Sequence, residues 1–256
     1  MKDLITIAVK AAREAGGMLL ENADTVKDVT VKSDRSLVTD FDTRAEKIVV
    51  DIIKSTFPGH GIICEEGSTD ASDGEYLWII DPLDGTHNYI RGIPHWGVSI
   101  GIVHKEEFAA GIVFMPPDDA LYVSEKGSGA FKNDQPIHVS RRSEMSTCTL
   151  SYDSCIREDP VLKPKILAEL GQRVFNIRMF GASTSLLTLV AEGKMDIAVE
   201  FDDKSWDFSA GASLVLEAGG AFTDFHGNPA SYRHEKYIAS NGLVHDEVCT
   251  IITANI

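Results

Sequence analysis

The chain of 256 residues is 43% hydrophobic and carries a formal net charge of −15. That is ample core material for one large domain or two packed halves. No apolar run approaches the roughly 18 residues of a membrane span, and Met1-Lys2-Asp3-Leu4-Ile5 does not read as the start of a signal peptide. The charge argues against a nucleic-acid surface, which needs a basic footprint. Four scattered cysteines without a CxxC pair fit reduced thiols in a cytoplasmic protein rather than a disulfide frame or zinc site.

In chain order, Leu4, Ile5, Ala8, Val9, Ala12, Leu19 and Leu20 recur at helical spacing and predict a helix over about residues 3–21. Val26 to Lys32 alternates like a strand. A second helix is expected from Asp40–Asp42 to Phe57, with Phe41, Ala45, Ile48, Val49 and Ile52 on one face and Pro58-Gly59 as its stop. Gly61–Cys64 reads as a short strand ending in Glu65-Glu66-Gly67, and Leu77–Ile80 as a buried strand that Pro82 should terminate. Gly97–His104, Phe108–Met115, Ala120–Glu125 and Ala130–Phe131, with short breaks between them, suggest an antiparallel meander. From about Thr147 strands and helices alternate. Helices are expected at Val161–Leu170, Ser183–Glu192, Phe208–Ala218 and Val244–Ala254, and strands at Val174–Ile177, Met195–Val199, Ala221–Asp224 and Tyr237–Ala239. The reading is a layered α+β (mixed α/β) architecture over residues 1–256. A soft division near residue 145 separates a metal- and phosphate-binding α+β half (1–145) from an α/β half (146–256).

The chemistry concentrates in Trp78-Ile79-Ile80-Asp81-Pro82-Leu83-Asp84-Gly85-Thr86. Asp81 and Asp84 leave a buried strand at a rigid corner, and the Gly85 and Thr86 amides begin whatever follows. Carboxylates suit a hard divalent cation and a run of amides suits a phosphate; the plainer alternative is a strand-ending Asp-Gly turn. A phosphorylated substrate is awkward for so acidic a chain unless bound cations reverse the local field. If the strands before Glu65-Glu66 and Asp81 are neighbours, their acids share one rim, beyond the carboxyl ends of strands where ligands bind. Asp207, in Lys204-Ser205-Trp206-Asp207-Phe208, is either a further ligand or an N-cap. Of Asp40 and Asp42, one should cap the second helix while the other could reach a hydroxyl such as that of Thr86. Lys32, ending a strand, could meet an anion or simply be solvated.

Taken in order, Leu37–Asp42, Glu65-Glu66-Gly67, Trp78–Thr86 and Ser205-Trp206-Asp207 resemble the inositol monophosphatase family, within the Mg²⁺-dependent, lithium-sensitive phosphatases that include fructose bisphosphatase. Similarity extends to Gly97–Gly101, Gly127–Phe131 and Glu217–Gly220, so it spans essentially the whole chain. The resemblance implies a five-layered αβαβα sandwich, a cytoplasmic homodimer without nucleic-acid or membrane partners, and two to three Mg²⁺ per site. Mn²⁺ is expected to substitute, and Ca²⁺ and Li⁺ to inhibit. It implies that Glu65, Asp81 and the Leu83 carbonyl bind a first metal, Asp81, Asp84 and Asp207 a second, and Glu65 a weaker third. The Gly85 and Thr86 amides are expected to hold phosphate, and Thr86, oriented by Asp42, to help activate the attacking water. Glu66 is expected just behind the ligands, and Lys32 beside them. Asp84, Gly181, Ala182, Ser183 and Glu200 are expected to touch a polyol, with Arg178 either structural or at the dimer contact. The implied reaction is hydrolysis of inositol monophosphate to inositol and phosphate. The alternatives are a broader sugar phosphatase that also takes fructose 1,6-bisphosphate, or a member with an added regulatory, protein-binding role.

Overall fold

The computed structural model describes residues 1–25, 28–32, 36–70 and 74–256. Helix α1 (Lys2–Glu21) turns its alanine-rich face, Ala8, Ala11, Ala12 and Ala15, into the core, and small side chains there allow close packing. A short hairpin of β1 (Val29–Val31) and β2 (Leu37–Thr39) leads into α2 (Asp40–Thr56). The strand expected over Val26–Lys32 is thus realised at its C-terminal end; Val26 and Lys27 lie outside the described residues. β3 (Gly61–Cys64), β4 (Tyr76–Asp84), the one-and-a-half-turn α3 (Thr86–Arg91), β5 (Gly97–His104), β6 (Glu107–Met115), β7 (Ala120–Glu125), β8 (Gly129–Lys132) and β9 (Gln135–Ile137) follow. They form a seven-stranded sheet in sequence order. β3 and β4 are parallel and the rest is an antiparallel meander, as the spacing of apolar runs requires.

The second sheet collects β10 (Thr149–Tyr152), β11 (Asn176–Arg178), β12 (Ile197–Glu200), β13 (Ala221–Thr223) and β14 (Tyr237–Ser240) in the order β11-β10-β12-β14-β13. Between them run α4 (Leu162–Gly171), α5 (Ser183–Ala191) and α6 (Ser205–Glu217), with α7 (His245–Thr253) last. α1 and α2 cover the outer face of the larger sheet; α5 and α6 lie between the sheets; α4 and α7 close the far side. The result is the expected αβαβα stack, with apolar clusters in the successive gaps. The four cysteines are free thiols, and among the described residues no helix is long and apolar enough to cross a membrane.

Two paired glycines set how closely the halves meet. Gly101 and Gly111 face each other on β5 and β6. A Cβ on Gly111 would lie 2.2 Å from the Ala210 carbonyl oxygen, and one on Gly101 2.6 Å from Ser209 Cβ. Backbone of α6 therefore rests directly on the larger sheet, which brings the start of that helix to the end of β4.

Two expectations are corrected. Pro82 does not end the strand: β4 runs on to Asp84, pairing Asp81 with Ser99 and Asp84 with Gly97 across a register shift. Pro82 and Leu83 thus oppose the single residue Val98, a bulge in which a missing amide donor costs the ladder nothing. Asp207 is not an N-cap either, because α6 begins at Ser205 and Asp207 is its third residue. Its carboxylate accepts the Lys204 amide at 2.6 Å, so it holds the helix start from inside the first turn.

Candidate active site

The bulge explains why two acids three apart serve one pocket. In a regular strand Asp81 and Asp84 would point to opposite faces. The extra residue shifts the alternation by one and turns both to the same side. Asp81 Oδ1 accepts the Leu83 amide at 2.9 Å, which fixes the carboxylate against the corner. Gly85 then adopts φ +83°, a left-handed conformation that starts α3. The Gly85 and Thr86 amides stand at that start, where helix geometry supplies no acceptor.

Helix α2 braces the corner from behind. Its capping is a single device: Asp42 accepts the Thr39 amide (2.9 Å) and hydroxyl (2.5 Å), and also the Thr86 hydroxyl (2.9 Å). The capping and reaching roles thus fall on the same fully buried Asp42, whereas Asp40 is exposed. One helical turn on, Glu46 accepts the amides of Glu66 (2.9 Å) and Ser68 (3.1 Å) and so shapes the turn that carries Glu65. Sequence reasoning passed over Glu46. Its signal was the four-residue spacing from Asp42, which puts two buried acids on one helix face. Lys32 is neither solvated nor in the cavity wall: its Nζ donates to Glu65 (2.9 Å) and Glu66 (2.7 Å).

A cavity of about 710 Å³ opens beyond the corner, walled by Glu65, Asp81, Leu83, Asp84, Gly85, Thr86, Gly181, Ala182, Ser183, Glu200 and Asp207 among others. Although Asp207 comes from the other half of the chain, Asp81, Asp84 and Asp207 present carboxylate oxygens within 4.8 Å of one another. Asp84 also accepts the Thr184 amide at 2.8 Å, tying the corner to the first turn of α5. Glu200 ends β12, buried, with its carboxylate toward this wall. Arg178 stands apart, exposed on the edge strand β11, its guanidinium donating to the Ile177 carbonyl. Sequence reasoning also missed Asp153 and Arg157, and read Asp203 only as part of an acidic Phe201–Lys204 segment that could alter substrate preference; all three line the same cavity. Asp153 follows β10, a strand legible only in the alternation of Cys148, Leu150 and Tyr152. The wholly buried Lys163 pairs with Asp153 (2.5 Å) and Asp202 (2.7 Å) beneath it.

Electrostatically the site is a concentration of acids that disfavour ionisation together. Burial first, then the charges of Glu65, Asp84 and Asp207, push the Asp81 carboxyl well above its ordinary range. Asp207 rises for the same reasons, with Asp203 the largest charge effect. Burial lifts Asp84 to about 7 and Asp203 to about 6. Glu200 is driven up by burial and by Asp203, and Glu65 by burial against the opposing pull of Lys32. The three converging carboxylates, with Glu65 in the same cavity wall, offer only oxygen donors. Such a set fits hard divalent cations such as Mg²⁺ rather than zinc or copper.

The family model described as the inositol monophosphatase family matches residues 1–256. The fructose-1,6-bisphosphatase/inositol-1-monophosphatase of Thermotoga maritima is 34% identical over 98% of this chain and 96% of its own length. A putative Nus factor SuhB of Neisseria meningitidis is 35% identical over all of both chains. Among solved structures, the Thermotoga maritima IMPase superposes with a TM-score of 0.91 at 34% identity, covering 98% of this chain and 97% of that one. Matched from end to end, with the family's acidic segments gathered at one rim, the chain belongs to the inositol monophosphatase family and is a phosphatase.

Proposed function

We propose that this phosphatase is a Mg²⁺-dependent phosphomonoesterase that releases inositol and phosphate from inositol monophosphate. The observation that carries the reading is the convergence of Asp81, Asp84 and Asp207 in the cavity that also holds the Gly85–Thr86 turn and Glu200. Glu65, Asp81, the Leu83 carbonyl, Asp84 and Asp207 would hold two to three Mg²⁺. The chemistry that such ions would supply when bound is acidification of water to a nucleophile and neutralisation of charge on the phosphoryl oxygens and the leaving group.

The chain's own residues do the rest. Gly85 and Thr86 amides orient the phosphate. The Thr86 hydroxyl commits its hydrogen to Asp42, which leaves an oxygen lone pair to receive a hydrogen bond from the attacking water and aim it at phosphorus. Burial of Asp42 keeps that arrangement dry and fixed. Glu200 accepts hydroxyl donors of the alcohol, and the Gly181–Ser183 backbone closes on the ring beside Asp84. A polyol satisfies this lining better than an apolar alcohol would, because each buried acceptor needs a donor.

Phosphate release from inositol 1-phosphate, fructose 1,6-bisphosphate, histidinol phosphate and an adenosine bisphosphate, each with Mg²⁺, tests the assignment. Inositol 1-phosphate among the poorest substrates sinks it. In Asp81→Asn turnover should fall by orders of magnitude with the fold intact, and Mn²⁺ should support activity where Ca²⁺ and millimolar Li⁺ inhibit.

The second reading, a broader sugar phosphatase, is favoured by Arg157, the one arginine or lysine among the described residues of the cavity wall. A guanidinium there suits a second phosphate. Arg157→Ala should then lose kcat/KM on the bisphosphate and keep it on the monophosphate. A homodimer would cover the exposed Phe175 and Met179 beside β11, which sedimentation tests. Relatives named as Nus factors motivate a regulatory contact as well. If Asp84→Asn abolishes turnover yet leaves a cellular phenotype intact, that role is separate from catalysis.

A further inference from the structure

We propose that Asn88 is a positioning residue that sets the gap between the Gly85–Thr86 turn and the Gly181–Ser183 segment, and through it the alcohol that the cavity accepts. The proposal rests on the phosphatase reading above and adds what tunes its selectivity. Asn88 lies on α3, is 5% exposed, and uses its carboxamide nitrogen twice. Nδ2 donates to the His95 carbonyl at 2.9 Å and to the Phe180 carbonyl at 2.9 Å. One acceptor closes the loop that follows α3; the other belongs to the residue just before Gly181. Two carbonyl oxygens cannot bond each other, so an NH₂ fork between them is the group that can join these backbones.

The surroundings show that the junction is tight. A Cβ at Gly85 would lie 2.7 Å from the His95 carbonyl oxygen and 3.1 Å from Ala182 Cβ. The turn and the polyol segment are therefore already in contact across the residue that starts α3. The His95 ring tilts against Phe180 with centroids 5.2 Å apart. Asp84 accepts the Thr184 amide just beyond. Asp84 is committed to the reaction centre, whereas Asn88 bonds only backbone. The phosphate turn can thus be shared by many esters while the Asn88 junction governs how much room is left for the alcohol.

The junction makes a distinction that a packing role does not. Aspartate at this position has nearly the same shape but replaces the two donors by an oxygen facing two carbonyls. Alanine removes volume and donors without adding repulsion. Full-length wild-type protein, Asn88→Asp and Asn88→Ala are compared with Mg²⁺ on inositol 1-phosphate and on p-nitrophenyl phosphate, an ester without hydroxyls. The expected loss of kcat/KM on the inositol ester is about tenfold for alanine and about a hundredfold for aspartate, with a several-fold smaller loss on the aryl ester. Equal losses on both esters, or aspartate milder than alanine, overturn the proposal. Hydrogen exchange over residues 180–186 gives a readout independent of substrate. Faster exchange there in Asn88→Ala, with exchange in β5 and β6 unchanged, supports the junction even if wild-type enzyme rejects the inositol ester and the substrate reading fails. Unchanged exchange overturns it.

Discussion

Replacing Asp42 by asparagine separates the two functions that converge on this carboxylate. Oδ2 takes the Thr39 amide (2.9 Å) and hydroxyl (2.5 Å), and Oδ1 takes the Thr86 hydroxyl (2.9 Å). An asparagine can keep its carbonyl oxygen toward Thr39, so the cap of α2 survives at a cost of about 1–2 kcal/mol. Its NH₂ then faces Thr86 Oγ1, and the hydrogen bond between them reverses. Thr86 Oγ1 lies 3.1 Å from the Leu83 carbonyl, so its hydrogen turns there, and the new donor takes one of the two lone pairs and leaves the other misdirected for the water. Loss of a positioned proton acceptor slows turnover by about a hundred- to ten-thousand-fold, equivalent to roughly 3–5 kcal/mol of barrier. The effect on rate should therefore exceed the effect on stability severalfold. Phosphate release at saturating Mg²⁺ and substrate gives the first, and urea unfolding followed by circular dichroism gives the second. Thr86→Val should fall to a similar rate, and the double variant little further, because the two groups act as one unit. A folded Asp42→Asn protein turning over within about fivefold of wild type would refute the reasoning, as would a rate that falls only in step with the folded fraction.

Three further outcomes follow from neighbouring groups. Lys163→Met leaves Asp153 buried without its cation and should destabilise the fold by about 3–5 kcal/mol in urea titrations; a change under about 1 kcal/mol would mean that the pair contributes little. Glu46→Ala releases the Glu66 and Ser68 amides, so the Mg²⁺ concentration for half-maximal activity should rise at least about tenfold, and an unmoved value counts against it. The third concerns pH. Asp84 is pushed up to about 7, Glu66 to about 7 and Asp203 to about 6, whereas unfolded carboxyls titrate near about 4. Folding therefore takes up protons in this window, and the stability these groups give is full at low pH and lost as pH rises toward about 7. A cation bound among them should reverse that loss, so the rise in Tm on replacing chelator with Mg²⁺ should grow between about pH 5 and pH 8; a flat difference rejects the coupling.

How much of this is legible in the sequence depends on the range of the interaction concerned. Periodicity finds α1, α2, the meander and the alternating second half, because burial of one face imposes a repeat that neighbours in sequence share. The Asp81–Thr86 corner is legible as chemistry but not as backbone. Proline within an apolar run reads as a stop, and only the pairing with β5 reveals a bulge that absorbs it. The same bulge decides that Asp81 and Asp84 face one way, which strand alternation alone would deny. Asp207 signals a helix start, but its place within the first turn rests on where Lys204 bends. Glu46 and Asn88 are silent because Glu66, Ser68 and Phe180, the groups they hold, lie far along the chain, whereas Asp153 is silent because the short strand that delivers it carries little periodic signal. Lys32 is ambiguous for the same reason, since a lysine declares its role only when its acids are located.

The placement of lysines also resolves the conflict between so acidic a protein and a phosphate ester. Lys32 is committed to Glu65 and Glu66, and Lys163 to Asp153 and Asp202. Each neutralises acids that flank the centre. Among the described residues, no salt bridge reaches Asp81, Asp84 or Asp207, the three whose oxygens converge. Positive charge from the protein is thus kept at the margins, and the negative potential is sharpest where three carboxylates meet. A divalent ion gains most from that point, since a single lysine could neither match the charge nor coordinate three oxygens at once. If cations bind there as proposed, the net charge of −15 no longer repels the substrate: the field that would exclude a phosphate would concentrate the cations that attract it. Substituting Lys32 should consequently weaken ordering of the Glu65 turn, whereas adding a lysine beside Asp84 should displace the metal and abolish activity without harming the fold.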